Sequence, residues 1–221
     1  MNNRFALILV SLVIGFGGIL WFSKKKDNSG AVNSAALTSH VKGANKKNVT
    51  LIEYGDFECS ACFYYEPVIK QVIEKYKDDI QFQFRNFPLP QLHQQAMAAH
   101  RAAEAAAKQG KFWEMHDILF ERAHQQTEDG KLADGEWVAA SNSQPFFELY
   151  AKALGLDIEK FKTDMKSSEV NDAINADIAE GKKLGLSGTP SFILDGKKID
   201  SPNDLAGFSK LIDDAIKAKN Q

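Results

Sequence analysis

The chain has two cysteines, and both lie in one four-residue stretch, Cys59-Ser60-Ala61-Cys62. An apolar run of β-type composition, 49–57, precedes them, and a run with helical spacing, 63–76, follows. A C-x-x-C pair where a strand hands over to a helix has the spacing of a redox-active dithiol. The first turn of that helix leaves N–H groups unpaired beside the first sulfur, and the helix dipole favours negative charge there. Cys59 is therefore expected to ionise more readily than a free cysteine and to attack a partner disulfide. Cys62, one turn further in, is expected to be more buried and closer to neutral, and to resolve the mixed disulfide. Two bland readings compete: an inert structural disulfide and half of a zinc site. Zinc wants four ligands, no second cysteine pair exists, and His93, His100, His116 and His124 lack metal-ligand spacing, so no metal is expected.

Three acids lie near the pair. Glu53 stands among apolar neighbours in the preceding run. It is either an exposed strand position or a semi-buried carboxylate that relays the proton of the resolving sulfur. Asp56 and Glu58 are closer still, and both are expected to oppose ionisation of Cys59. The dipeptide Ser60-Ala61 offers no positive charge in return.

The elements that must position these groups are legible in the pattern. Residues 49–55 read as a strand, and 80–87 alternates apolar and polar strictly, so it reads as a second. Strand, helix, strand predicts a parallel unit, with Pro67 expected to kink the helix. Helical patterns fill 91–109, 111–124, 146–154, 158–165 and 170–184, with a polar stretch at 125–135. Such a length of helix between strands is a subdomain, placed at about 90–184, and Trp113 and Trp137 are expected to pack within it. A hairpin follows, with strands at 188–194 and 197–199 around Asp195-Gly196, and an amphipathic helix at 202–218 closes the chain. The fold class expected is α/β.

Residues 5–22 form an unbroken apolar run, ~27 Å long as a helix and just sufficient to cross a bilayer. Residues 1–23 are read as an uncleaved membrane anchor in preference to a signal peptide, because lysines rather than small residues follow the run. Residues 24–47, rich in Asn, Ser, Gly, Ala and Lys, read as a flexible tether, and the domain as 48–221. Lys24-Lys25-Lys26 after the run would by charge alone leave the domain inside, whereas a solitary dithiol makes better sense outside, and outside is expected. A net charge of −2 gives no reason to expect nucleic acid as a partner.

Four spaced matches together resemble the DsbA-like branch of the thioredoxin superfamily, over roughly residues 48–221. They are Cys59-Ser60-Ala61-Cys62 with Phe63-Tyr64-Tyr65-Glu66-Pro67, Asn86-Phe87-Pro88-Leu89, Phe112-Trp113-Glu114-Met115-His116, and Gly188-Thr189-Pro190-Ser191-Phe192. The resemblance implies a thioredoxin-like fold with an inserted helical subdomain behind an N-terminal transmembrane helix. It implies Cys59 as nucleophile, Cys62 as resolving cysteine, Glu53 as the strand carboxylate, and Pro190 as a cis-proline facing the disulfide. Thr189 and Pro190 would then bind an extended substrate segment through the backbone. It further implies a thiol:disulfide oxidoreductase, membrane-tethered and extracytoplasmic, that needs no cofactor. Its partners would be substrate proteins with cysteine thiols and a membrane redox partner that reoxidises the site. Oxidation of secreted or surface proteins is the leading reading. Reduction or isomerisation at the same site is the alternative within that chemistry, and a holdase with vestigial cysteines is the alternative outside it.

Overall fold

In the computed structural model, residues 36–220 are described; the expected anchor, and the tether up to residue 35, lie outside them. Among the described residues no helix is long and apolar enough to cross a membrane.

The chain begins with a short strand, β1 (His40–Lys42), then β2 (Val49–Gly55), helix α1 (Ser60–Tyr76) and β3 (Ile80–Asn86). Helices α2 (Ala96–Ala107) and α3 (Phe112–Ala123) follow, then a hairpin of β4 (His124–Gln126) and β5 (Leu132–Asp134). Helices α4 (Gln144–Ala153), α5 (Ile158–Met165) and α6 (Ser168–Lys183) complete the insertion. The chain then returns through β6 (Ser191–Leu194) and β7 (Lys197–Ile199) to α7 (Leu205–Lys219). The main sheet has the order β1-β3-β2-β6-β7. β2 and β3 are parallel, as the strand–helix–strand pattern predicts, and the other pairs are antiparallel.

Alternation along the strands decides which residue meets which layer. Leu51, Phe82, Phe84, Phe192 and Leu194 enter the large core that also holds Ile69 and Val72 of α1 and Phe208 and Ile212 of α7. Tyr54 and Ile193 belong to a smaller cluster on the opposite face, with Phe87, Leu186 and Ile178 of α6. Glu53 shares its parity with Leu51, which turns its carboxyl toward the large core.

Phe57 anchors the connection between β2 and α1. It is fully buried, with its ring 5.2 Å from Phe84 and 5.0 Å from Phe120 of α3. Burying such a ring stabilises by roughly 1.5–3 kcal/mol, so the residues that lead into Cys59 are tied to sheet and insertion together.

Three differences from the sequence expectations have physical reasons. The stretch read as tether is ordered within the domain from Thr38: its N–H and hydroxyl both donate to Asp177, and β1 pairs with β3. These are polar contacts that no apolar period announces. The polar stretch 125–135 contains the β4–β5 hairpin, registered His124 to Asp134. The helix expected from residue 91 begins at Ala96, because a turn occupies the residues after Pro90. Helix α1 runs as one element through Pro67, where Gln71 Nε2 donates to the proline carbonyl at 3.1 Å.

Candidate functional site

Cys59 is the N-cap of α1, with φ −75° and ψ 120°, and no side chain caps the helix. Its sulfur therefore occupies the place of a capping oxygen, and the N–H groups of Ala61 and Cys62 bond it when it is charged. Both cysteines are free thiols; Cys59 is 7% exposed and Cys62 1%. The Cys59 thiol reaches the Thr189 carbonyl at 3.5 Å, and the Thr189–Pro190 peptide bond is cis. The fold thus brings the end of β2, the start of α1 and the loop before β6 to one point, from positions 130 residues apart.

The two thiols are pushed in opposite directions. The Cys59 pKa falls from 9.0 to about 5, held down first by the Cys62 thiol, which donates to the charged sulfur. Thr189 and the backbone N–H groups of Cys62 and Ala61 add to this, against the cost of burial. The Thr189 hydroxyl is buried without a partner while Cys59 is protonated, and so is free to donate once the thiolate forms. Burial pushes the Cys62 thiol well up, and the neighbouring Cys59 and Glu53 reinforce it. Glu53 is 3% exposed, and desolvation first, then Glu66 and Cys59, raises its carboxyl well above the usual range. It is an acid held inside the protein beside the thiol pair, where burial opposes its charge.

Asp56 and Glu58 both have partners in the connections around the dithiol. Asp56 is fully buried and accepts from the Glu58 N–H at 3.0 Å, the Leu89 N–H at 2.8 Å and His93 Nδ1 at 2.8 Å. Burial opposes its charge, but these donors and the nearby His100 keep its pKa below the ordinary value. Glu58 accepts from the Gln95 N–H at 2.7 Å and so caps α2, which has no cap of its own. Both carboxylates are thus engaged by backbone donors, and burial raises the Glu58 pKa. The sequence reading missed His93. It comes from the β3–α2 connection, and its raised pKa is due first to Asp56, with Cys59 among the lesser contributors.

The remaining histidines have structural partners. His100 is fully buried and bonds Asn86 Oδ1 at 2.6 Å; burial lowers its pKa to about 4. His116 bonds Asp117, and His124 donates from Nε2 to the Glu58 carbonyl at 3.0 Å. Among the described residues, one group has metal-ligating atoms within reach of one another: Glu66, His116 and Asp117. Lys70 already lies 3.1 Å from Glu66 and 3.8 Å from Asp117 there. Trp137 is packed as expected, fully buried with its N–H on the Leu119 carbonyl.

A family model described as Thioredoxin matches residues 35–214. The chain belongs to the thioredoxin family. Its fold is that of the DsbA-like thiol–disulfide oxidoreductases. A thioredoxin-like oxidoreductase from Silicibacter pomeroyi superposes with a TM-score of 0.64 at 25% identity, covering 81% of this chain and 92% of that one. BdbD from Bacillus subtilis superposes at 0.66 with 22% identity, covering 81% and 93%. Two curated relatives carry different names. Na(+)/H(+) antiporter NhaA 1 of Mycolicibacterium gilvum is 36% identical over 176 residues, and NhaA 3 of Salinispora tropica 33% over 173. The matches take in 79% and 78% of this chain but only 26% and 24% of those proteins, so the chain spans about a quarter of their length.

Proposed function

We propose that the protein is an extracytoplasmic, membrane-anchored oxidase that passes its Cys59–Cys62 disulfide to proteins with free thiols. The observation that carries this reading is the free Cys59 thiol at the N-cap of α1, with the buried Cys62 thiol one turn further in and the Thr189 carbonyl 3.5 Å from the Cys59 sulfur. A substrate thiolate attacks the Cys59 sulfur of the disulfide, and Cys62 leaves, taking the proton of Glu53. A second substrate thiolate then attacks the substrate sulfur of the mixed disulfide. Cys59 departs as thiolate, two electrons have moved, and the substrate holds the disulfide. A leaving thiol of low pKa leaves quickly and favours this direction. The backbone edge at Thr189 is suited to pair with the extended substrate segment.

The apolar run at 5–22 supports a tether, and a membrane redox partner is the natural acceptor of the electrons left on the dithiol. The antiporter names of the curated relatives also support work at a membrane.

Trapping tests the sulfur assignment. Cys62→Ala leaves an attacking thiol with nothing to resolve it, so mixed disulfides with substrates accumulate; Cys59→Ala leaves a buried, neutral thiol and traps few. Equal trapping by both variants overturns the assignment. Equilibration with glutathione tests the direction. An oxidase lies well above thioredoxin's potential of about −270 mV, toward the strongest oxidant's of about −120 mV. A value at or below thioredoxin's makes the protein a reductase.

A further inference from the structure

Beside the dithiol, a groove of about 270 Å³ opens between the β2–α1 connection, the β3–α2 connection and the β4–β5 hairpin. Ser60, Glu58 and His93 line it, with His124 and Asp134 opposite. His93 is 21% exposed, and its Nδ1 is 2.8 Å from Asp56, a carboxylate with no exposure at all. Because that N–H donates to the carboxylate, Nε2 is the atom at which the ring gains or loses charge.

We propose that His93 is a positioning residue of the dithiol site: its ring, fixed by Asp56, sets the charge around the Cys59 thiolate and makes the reduction potential depend on the ring's charge. The inference rests on the oxidoreductase reading and deepens it. Asp56 connects the two groups directly, since its carboxylate holds the ring while its backbone carbonyl accepts the Cys59 N–H at 3.1 Å.

Among the described residues, the charged and titratable groups that face this region come from three elements. From the β2–α1 connection, Asp56, Glu58 and Cys59 all favour the protonated ring, and partial burial opposes them. From α2, His100 lies 3.9 Å from the same Asp56 carboxylate and stays neutral in the mildly acidic range, with a pKa of about 4. From the hairpin, His124 donates to the Glu58 carbonyl, and its other nitrogen is 3.7 Å from Asp134. Of the two rings that Asp56 faces, His93 has its pKa raised and His100 has its pKa lowered.

Coupling between two charges is reciprocal. If the Cys59 thiolate helps hold the proton on His93, the charged ring helps hold the thiolate to the same extent. The disulfide carries no such charge, so the protonated ring favours the dithiol over the disulfide. At a pH where the ring is charged, the protein is the stronger oxidant. As pH rises through the ring's titration, that contribution is lost and the potential falls further than thiol titration alone would take it.

The full-length protein and its His93→Gln variant are equilibrated with glutathione at about pH 6 and about pH 9, on either side of the imidazole titration. The expected result is a roughly tenfold shift of the variant toward the disulfide form at the lower pH, about 30 mV, with the two proteins converging at the higher. A shift of equal size at both pH values, or none, overturns the proposal; a merely structural ring would lower the melting temperature of both redox forms and leave the potential's pH profile parallel. The unmodified protein supplies a second readout that needs no variant. NMR titration of the His93 ring is expected to give a higher midpoint in the dithiol than in the disulfide form, and equal midpoints overturn the proposal. An unmodified protein that exchanges no disulfide with glutathione sinks the oxidoreductase reading itself, whereas exchange with a potential blind to His93 sinks only this inference.

Discussion

The Cys59 sulfur does the work of a helix cap, and that links its chemistry to the stability of the fold. A folded-state pKa lowered from 9.0 to about 5 stabilises the dithiol protein; this contribution is fully present above the unfolded value and lost as pH falls through about 5. At pH 7 it amounts to something on the order of 3 kcal/mol. The dithiol protein is therefore expected to melt well above its Cys59→Ser variant at neutral pH, with the gap closing as pH falls to about 5. A gap that stays constant across that window in thermal unfolding would show that the thiolate is not stabilised by the fold. Glu53 and Cys62 run the other way, because burial raises both pKa values and makes their ionisation costly. Cys59 and Cys62 were readable from their spacing at a strand-to-helix junction, whereas the role of Glu53 and the choice of Thr189 and Pro190 came through the family resemblance, because the approach of Thr189 to Cys59 spans 130 residues. His93 was not readable, because its place beside Asp56 depends on how the β3–α2 connection folds back 37 residues later. The charges of Asp56 and Glu58 were visible, but the N–H groups of Leu89 and Gln95 that engage them were not.

Elements with a strong period were legible and those held by polar contacts were not. β2 and α5 occupy the residues expected, since apolar alternation or helical spacing dictates each. β1 is a three-residue edge strand, and the β4–β5 hairpin is polar, so neither shows a period to read. Helix α6 depends on a residue that pattern alone would undervalue. Gly181 lies near its end and is buried; a Cβ there would meet the Phe87 ring at 2.6 Å and Tyr54 at 3.2 Å. The glycine lets the helix approach the sheet face that carries those rings. Gly181→Ala gains roughly 0.5–1 kcal/mol of helix propensity, but overpacking costs typically 1–3 kcal/mol. The net expectation is a loss of about 1 kcal/mol or more, read as a lower denaturant midpoint at unchanged slope. A midpoint that rises would mean that Phe87 swings aside without cost.

At the scale of the whole molecule, a buried polar junction joins the N-terminal stretch, the sheet and the insertion. Asp177 of α6 has no exposure and accepts five hydrogen bonds: two from Thr38, one from Arg85 and two from Asn86. Asn86 also donates to Glu104 of α2 at 2.6 Å, and Glu104 bonds His40 of β1 at 2.8 Å. Removing the carboxylate leaves Arg85 buried without its counter-charge and strands the other donors, a class of change that costs about 3–5 kcal/mol. Arg85→Leu removes a single donor from an acceptor that keeps four others, so it is expected to cost less than Asp177→Ala. The two variants also differ in where the damage appears. Asp177→Ala unpins Thr38, so the amides of His40–Lys42 should exchange with solvent far faster than those of β2, which is flanked on both sides by β3 and β6. Equal costs for the two variants, or unchanged exchange in β1, would mean that Asp177 holds only the sheet and that the N-terminal stretch is secured by its pairing with β3 alone.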